Sequence, residues 1–155
     1  EELYGIMQAI GIENSLDDLR YAKIIIATDA DVDGFHIRNL LITYFLTFFQ
    51  PLVEMERLYI LNTPLFRVRD KRVTRYCYNE EERDQAVQQH ARDCEVTRFK
   101  GLGEISPSEF GQFIGENIRL QQVVIDQKRQ VDSMLKFFMD DNTPERRSFI
   151  MQNLI

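Results

Sequence analysis

With 155 residues, the chain is long enough for one domain with a hydrophobic core of its own. Its composition, 44% hydrophobic and 28% charged, is that of a folded globular protein and excludes a disordered one. The net charge of −6 excludes a chain that holds nucleic acid by bulk attraction, so any such contact has to be local or supplied by a partner. The longest apolar run, residues 40–49, is far shorter than the roughly 20 residues that cross a bilayer, so no membrane partner is expected.

The cysteines and histidines do not indicate a metal site of their own. Cys77, Cys94, His36 and His90 do not lie at spacings typical of zinc sites. Reduced cysteines are therefore expected, as in the cytoplasm. The sequence has no basic leader followed by a cleavage site, which also predicts a cytoplasmic location.

Helix and strand patterns alternate from the start of the chain. Apolar residues at helical spacing predict a helix over 2–10, with Gly11 as its stop. The aliphatic run 23–27 predicts a strand that is buried on both faces, as in a parallel sheet. A helix over 34–49 follows, and Pro51 either ends it or starts a new turn.

The alternation continues to the end of the chain. The elements predicted after residue 57 are strands over 58–62, 65–69, 73–78, 95–99 and 120–125 and helices over 79–90, 127–139 and 144–153. Another helix is predicted to start after Ser106, because Ser106 and Glu109 form a capping box with Pro107 at the first helical position. The chain is thus predicted to be an α/β protein with a mainly parallel sheet flanked by helices and a helical C-terminal tail.

The stretch A-T-D-A-D-V-D-G places Asp29, Asp31 and Asp33 at alternate positions directly after the strand over 23–27. Two carboxylates about 4 Å apart repel by roughly 4 kcal/mol at an effective dielectric near 20, so a cation is expected among them. On an extended segment the three side chains would project to one side and converge, at the end of a parallel strand where open α/β sheets bind ligands. Hard carboxylate oxygens in an incomplete cluster suit Mg²⁺, which also accepts phosphate oxygens. The pattern therefore predicts a magnesium site that acts on phosphate.

Three other interpretations of this stretch are open. An EF-hand calcium loop would need a glutamate at its twelfth position, where the chain has Leu40. A phosphatase-type loop with an aspartate nucleophile would need D-x-D-G-T, and Phe35 stands in place of the threonine. In the third interpretation the aspartates cap the next helix, and the domain is a non-catalytic assembly module.

Four motifs carry more specific information than spacing alone. They are T-D-A-D-V-D-G-F-H-I-R (28–38), L-Y-I-L-N-T-P-L-F-R-V (58–68), R-F-K-G-L-G-E (98–104) and N-T-P-E-R-R-S-F-I (142–150). Together they closely resemble the Toprim region and the end of the B subunits of bacterial type IIA DNA topoisomerases, with topoisomerase IV slightly favoured over gyrase. The resemblance covers almost the whole chain and implies a Toprim-like fold. It also implies an enzyme that cuts both strands of DNA, passes a second duplex through and reseals the break at the expense of ATP.

The resemblance implies roles for the three aspartates. Asp29 and Asp31 match the catalytic residues that bind magnesium directly, and Asp33 matches a supporting residue. Mn²⁺ or Ca²⁺ would substitute for Mg²⁺. The metal ions would help to make and reverse DNA cleavage, whereas the nucleophilic tyrosine would belong to the A subunit of an A₂B₂ heterotetramer.

The resemblance also implies residues that contact DNA. Lys100 matches a catalytic lysine that approaches the DNA or the metal site, with Gly101 and Gly103 allowing a close approach of the backbone. An exposed lysine in an ordinary turn is the alternative. His36 and Arg38 would face phosphate, although a surface or core role is open as well.

A basic stretch is interpreted as a solvated strand pair, with a DNA-facing edge as the alternative: Arg67, Arg69, Lys71, Arg72 and Arg75.

One departure from the family limits what this chain is expected to do. An E-G-x-S-A-like motif, whose glutamate is a metal ligand in the family, does not occur in the sequence. The resemblance therefore divides the chain into a partial Toprim domain over 1–115, without its first strand, and the C-terminal tail of a B subunit over 116–155. The ATPase domain and the A-subunit tyrosine also lie outside these residues. The chain alone is expected to be inactive, as one part of a nucleoid-associated enzyme in the cytoplasm.

Overall fold

The computed structural model describes residues 1–13, 15–89, 94–126 and 128–153. Its helices are α1 (Glu2–Ile10), α2 (Val32–Phe48), α3 (Gln50–Glu54), α4 (Glu80–Gln89), α5 (Pro107–Ile114), α6 (Lys128–Met139) and α7 (Thr143–Asn153). Its strands are β1 (Ile24–Ile26), β2 (Leu58–Leu61), β3 (Phe66–Arg69), β4 (Thr74–Cys77), β5 (Glu95–Arg98) and β6 (Leu120–Gln122). Single turns of 3₁₀ helix cover Leu16–Asp18 and Leu102–Glu104. The α/β class is confirmed, while His90 and Gln127, the predicted end of α4 and start of α6, lie outside the described residues.

The strands form two three-stranded sheets, in the orders β1–β2–β6 and β4–β3–β5. In the first sheet β1 and β2 are parallel, with Ile24 opposite Leu58, whereas β2 and β6 are antiparallel. In the second sheet both pairs are antiparallel, with Phe66 opposite Cys77 on one side and Arg98 on the other. The prediction of a mainly parallel sheet is therefore wrong, because β1 and β2 form the one parallel pair among the described strands.

The connections between the strands explain this difference. Asp70 closes a tight turn between β3 and β4: its N–H donates to the carbonyl of Val73 at 3.0 Å, and its Oδ1 accepts the N–H groups of Arg72 and Val73 at 2.6 and 2.7 Å. A connection this short joins antiparallel strands, since a parallel pair needs a crossover of a dozen or more residues. Helices α2 and α3 supply such a crossover between β1 and β2.

In the first third of the chain, the structure differs from some of the predicted helix ends and strand burial and agrees with others. Ile25 of β1 is 40% exposed, so this strand is not buried on both faces as predicted. Helix α2 begins at Val32 rather than at residue 34, because the residue before it supplies a cap. Helix α1 ends as predicted at Gly11, whose φ of 81° lies in the left-handed region that glycine adopts at little cost. Pro51 lies in the first turn of α3 and so starts a new helix.

The largest apolar cluster surrounds the first sheet. Phe45 of α2, Leu52 of α3 and Leu58 of β2 are almost completely buried in it. Burying a side chain of this size stabilises the fold by roughly 1.5–3 kcal/mol. The cluster holds both β1 and α2, and it thereby fixes the two ends of the segment that connects them.

Two smaller apolar clusters belong to the second sheet. Phe66, Val68 and Cys77 pack against α4 in one of them, and the other combines Phe99 with Ile105 and Phe113. Cys77 and Cys94 are free thiols, as predicted. Among the helices in the described part of the chain, none is both long enough and apolar enough to cross a membrane.

Candidate functional site

The aspartate segment, residues 29–33, follows β1 and includes the first two residues of α2. The Oδ1 atom of Asp31 accepts the backbone N–H of Gly34 at 2.7 Å, which caps α2 and confirms the capping interpretation for this aspartate. A Cβ atom at Gly34 would lie 2.1 Å from the backbone oxygen of Asp29, so a side chain does not fit there. The element before the segment is a strand, which contradicts the EF-hand interpretation, because a helix precedes a calcium loop of that kind.

The glycine loop, residues 100–104, lies against the aspartate segment. The N–H of Leu102 donates to Oδ1 of Asp29 at 2.6 Å, across 73 positions of the chain. A Cβ atom at Gly101 would lie 3.0 Å from Oδ2 of Asp29, so the absence of a side chain permits this approach. A Cβ atom at Gly103 would meet nothing within 4 Å. The absence of a side chain is thus required by a contact within the protein at Gly101 and not at Gly103, while the predicted approach of both glycines to DNA stays a prediction.

The three aspartates do not lie on one extended segment. Asp33 lies in the first turn of α2, where a negative charge favours the helix N-terminus, and all three side chains are exposed. The predicted convergence is therefore wrong, because a helix that starts at Val32 replaces the two-residue period of an extended chain. Among the described residues, no group of three or more aspartate, glutamate, histidine or cysteine side chains is placed to hold a metal ion.

Two carboxylates of the segment each have one oxygen that accepts no described hydrogen bond and could coordinate a metal ion. Asp29 and Asp31 each use Oδ1 for a backbone N–H, and the described hydrogen bonds leave Oδ2 of each side chain available. Proteins commonly bind Mg²⁺ through one or two carboxylates, and waters and phosphate oxygens complete its octahedron. Oδ2 of Asp29 and Oδ2 of Asp31 are therefore the atoms of this segment that could bind a magnesium ion, and its further ligands would have to come from outside this pair.

Lys100 lies at the start of the glycine loop, whose two ends are joined by internal hydrogen bonds. Its N–H donates to Oε2 of Glu104 at 2.9 Å, and the N–H of Glu104 donates to the carbonyl of Gly101 at 3.2 Å. The Lys100 side chain is exposed, and the described contacts give its ammonium group no partner. The structure thus brings the predicted lysine to the loop that contacts Asp29 and leaves its charge available to an anion.

A cavity of about 430 Å³ lies beside the aspartate segment, with Asp29 and Arg38 in its wall. The guanidinium of Arg38 lies 4.0 Å from the centroid of the Phe35 ring, a cation–π contact that holds it at the cavity. His36, in the same turn of α2, is exposed and does not line the cavity. Of the two predicted phosphate-facing residues, Arg38 lines the same cavity as Asp29, whereas His36 does not line it.

The lining of the cavity also contains Arg119, a residue that the motifs did not identify. Arg119 stacks on Tyr78 at 3.8 Å from the ring centroid and pairs with Oε1 of Glu82 at 2.7 Å. The predicted helix start at Asn79 is confirmed, because its Oδ1 accepts the N–H of Glu82 at 2.7 Å. Glu82 and Arg119 are 37 positions apart in the sequence. Helix and strand periodicity relates only near neighbours, so it could not predict this ion pair.

An ion pair joins the second sheet to α5. Nη1 of Arg67 lies 2.6 Å from Oε1 of Glu109, and the hydroxyl of Tyr76 donates to the same oxygen at 3.2 Å. Hydrogen bonds from Arg67 and then Ser106 hold the pKa of Glu109 at about 2, below its ordinary 4.5. The predicted capping box of α5 is confirmed, but Arg67 is 20% exposed and paired, so its interpretation as part of a solvated strand pair is wrong.

Comparisons of the sequence with known proteins identify relatives over the whole chain. The family model of the Toprim domain matches residues 2–63, and that of the DNA gyrase B subunit, carboxyl terminus, matches residues 91–151. The B subunit of DNA topoisomerase 4 from Borreliella burgdorferi is 59% identical over 100% of this chain and 26% of that protein. The B subunit of DNA gyrase from Archaeoglobus fulgidus is 37% identical over 97% of this chain and 25% of that protein.

A solved structure shares the fold. The DNA-binding, cleavage and re-ligation domain of Plasmodium falciparum topoisomerase II superposes with a TM-score of 0.78 at 25% identity, over 100% of this chain and 22% of that chain. The chain spans about a quarter of the length of the curated relatives described above. These matches confirm the Toprim-like fold and the resemblance that the four motifs carry. The chain therefore belongs with the B subunits of DNA topoisomerase 4 and DNA gyrase, and it comprises a Toprim match over residues 2–63 and a match to their carboxyl-terminal family over residues 91–151.

Proposed function

We propose that this chain is the part of an ATP-dependent type II DNA topoisomerase that helps to cleave and reseal DNA. The observation that carries the proposal is the hydrogen bond from the N–H of Leu102 to Asp29. It joins T-D-A-D-V-D-G to K-G-L-G-E, two motifs on which the family resemblance rests, although 73 positions separate the bonded residues. Carboxylates for a cation and an exposed lysine for an anion then lie at one place, as a metal-dependent phosphodiester site requires.

Asp29 and Asp31 hold Mg²⁺ in this proposal, with Mn²⁺ or Ca²⁺ as substitutes, through the oxygens that do not accept a backbone N–H. When bound, the metal stabilises negative charge on the phosphate oxygens of the bond being broken or reformed. The N–H groups of Leu102 and Gly34 orient the two carboxylates before a metal arrives. Asp33 adds negative charge in the neighbouring turn without a direct bond to the metal.

Lys100 and Arg38 contact DNA phosphates in this proposal. The ammonium of Lys100 is exposed beside the loop that meets Asp29, and the guanidinium of Arg38 lines the adjoining cavity. His36 is exposed one turn into α2, outside the cavity lining, and contributes a weaker phosphate contact from there. Because the chain has a net charge of −6, most of the phosphate contacts come from its partner.

The partners follow from the same family assignment. We assign the nucleophilic tyrosine to an A subunit, with which the full-length B subunit forms an A₂B₂ heterotetramer, and ATP hydrolysis to another domain of the B subunit. The topoisomerase IV branch is our choice, since the identity to the relative from that branch exceeds the identity to the gyrase relative. The isolated chain is inactive in this proposal, and the holoenzyme works on the nucleoid in the cytoplasm.

A second candidate function is a non-catalytic assembly module. It is favoured by the hydrogen bond from Gly34 to Asp31, because capping α2 is a sufficient structural reason for that aspartate. In this alternative the exposed carboxylates contact no metal, and the domain serves to dock the A subunit.

The variant Asp31→Asn separates the two functions. Asparagine is as good an N-cap as aspartate, so α2 and the stability of the domain should remain unchanged. It lacks the negative charge that a magnesium ligand supplies. In the full-length subunit assembled with its A partner, we expect magnesium-dependent DNA cleavage to fall about 100-fold or more, because charge stabilisation by the metal is worth several kcal/mol.

Asp17→Asn is the matched control, since this exposed aspartate lies in the 3₁₀ turn before β1 and away from the candidate site. Its cleavage activity should equal that of the wild type. Cleavage by Asp31→Asn at the wild-type rate, with the same dependence on Mg²⁺ concentration, would refute the catalytic proposal and leave the assembly module.

A further inference from the structure

The polar contacts between helix α5 and the second sheet converge on one carboxylate, that of Glu109. Oε1 of Glu109 accepts hydrogen bonds from Nη1 of Arg67 on β3 at 2.6 Å and from the hydroxyl of Tyr76 on β4 at 3.2 Å. Nη2 of Arg67 donates in turn to Oγ1 of Thr97 on β5 at 3.3 Å. All three strands of the sheet therefore reach Glu109, directly or through Arg67. The side chains of the ion pair are only 20% and 19% exposed, so solvent competes weakly for them.

The second oxygen of Glu109 faces the start of its own helix. Oε2 accepts the hydroxyl of Ser106 at 2.8 Å and its backbone N–H at 3.2 Å. Ser106 is the N-cap of α5 and follows the glycine loop almost directly. Glu109 thus ties the downstream end of the glycine loop to the sheet.

The upstream end of the loop is tied to the same sheet. The N–H of Phe99 donates to the carbonyl of Leu65 at 2.9 Å, and the Phe99 ring is buried. The ring of Tyr76 stacks on Phe99 with centroids 6.5 Å apart and meets Phe113 of α5 at 5.6 Å. The segment 100–105 is therefore held at both of its ends by contacts with the second sheet. Leu102, near the middle of this segment, donates its N–H to Asp29.

We propose that Glu109, held by Arg67, is a positioning residue that sets the glycine loop against Asp29. The consequence for DNA cleavage rests on the proposed function, whereas the position of the loop does not. Nε of Arg67 is buried and has no hydrogen-bond partner among the described atoms. Glu109 forms the direct ion pair with this guanidinium, and Glu95 adds a weaker electrostatic attraction. Removing the carboxylate charge leaves a largely buried cation without its bonded counter-charge and takes away the polar contact of α5 with the sheet, so that the packing of Phe113 on Tyr76 has to hold the helix and its attached loop alone.

The variant Glu109→Gln tests the proposal in the full-length subunit, with amide hydrogen exchange followed residue by residue. Loss of the ion pair should speed exchange at Leu102 about 10-fold, while the amides of β1 and β2 keep their wild-type rates. With the A subunit present, the Mg²⁺ concentration for half-maximal cleavage should rise more than the maximal rate falls, because Asp29 is misplaced rather than removed. A merely structural role would instead raise exchange throughout the domain.

Two further variants separate the sheet contact from the capping box. Arg67→Met removes the charge partner but leaves Ser106 and Glu109 to cap α5, and it should speed exchange at Leu102 as Glu109→Gln does. Tyr76→Phe keeps the ring contacts and removes one hydrogen bond, so it should give a smaller rise of about 2–3-fold and serves if Glu109→Gln does not fold. Asp84→Asn is the matched control, because it breaks an ion pair with Arg83 on the surface of α4.

Unchanged exchange at Leu102 in Arg67→Met would overturn the proposal, since the capping box alone would then hold the loop. So would equal effects of Arg67→Met and Asp84→Asn. These results are independent of the proposed function. An active Asp31→Asn enzyme would refute the catalytic role and leave the exchange result standing.

Discussion

Replacing Gly101 by alanine tests the contact that brings the glycine loop to the aspartate segment. The added Cβ would lie 3.0 Å from both Cγ and Oδ2 of Asp29, which is 0.4 Å closer than the 3.4 Å at which ordinary contact begins. Either the carboxylate or the loop has to move by that amount, and the 2.6 Å hydrogen bond from Leu102 to Asp29 lengthens. A hydrogen bond to a charged group contributes roughly 1.5–3 kcal/mol, so partial loss at this exposed site should cost about 1–2 kcal/mol. The loop should therefore open about 5–30 times more often.

Hydrogen exchange at Leu102 in the full-length subunit measures this opening directly. Gly103→Ala is the matched control in the same loop, because its Cβ would meet nothing within 4 Å. Alanine there should leave the exchange rate of Leu102 unchanged or slightly lower, since it stiffens the unfolded loop. Equal exchange rates in Gly101→Ala and Gly103→Ala would refute the reasoning, because the overlap with Asp29 would then have no energetic effect.

Two further predictions concern stability. Gly34→Ala places a Cβ 2.1 Å from the backbone oxygen of Asp29, and this overlap should cost about 3 kcal/mol and lower the midpoint of thermal unfolding. Gly5→Ala, in open space on α1, should instead stabilise by about 0.5–1 kcal/mol, and equal midpoints for the two variants in calorimetry would contradict the overlap. The pKa of Glu109 is about 2 when folded and 4.5 ordinarily, so its carboxylate stabilises the fold at neutral pH and this contribution is lost as pH falls from about 4.5 to 2. After allowance for screening by solvent we expect a loss of about 1–2 kcal/mol, and urea unfolding at pH 7 and pH 3 should show a smaller difference for Glu109→Gln than for the wild type.

Local signals predicted most of the helices and strands. Helix α1 has the predicted bounds, and the capping box at Ser106 and Glu109 marks the start of α5 as predicted. Such signals depend on neighbours within one turn, and a single sequence contains them in full. The pairing of strands, in contrast, depends on residues that are far apart in the sequence, so local signals do not predict it. The aliphatic run of β1 is typical of a parallel strand, and one parallel pair is present, but the direction of the second sheet depends on a short turn at Asp70.

The motifs could propose side chains for the candidate site but could not predict the contacts between them. The motifs identified Asp29, Asp31 and Lys100, and the structure brings the two motifs together. The hydrogen bond that joins them is donated by the backbone N–H of Leu102. Every residue except proline has this group, so a sequence motif cannot indicate which backbone N–H forms the bond. The ion pair between Arg67 and Glu109 was missed for a related reason, because a pairing across 42 positions has no period.

The separation between Asp29 and Leu102 also determines when the site can form during folding. Closing a loop of 73 residues costs about 4 kcal/mol of chain entropy, and one exposed hydrogen bond cannot offset this cost before the sheets between the two motifs have folded. On the ribosome, the aspartate segment emerges well before the residues that orient it. A nascent chain therefore carries Asp29 without its backbone donor until the glycine loop has been synthesised, so the site cannot become ordered before about two thirds of these residues have left the ribosome.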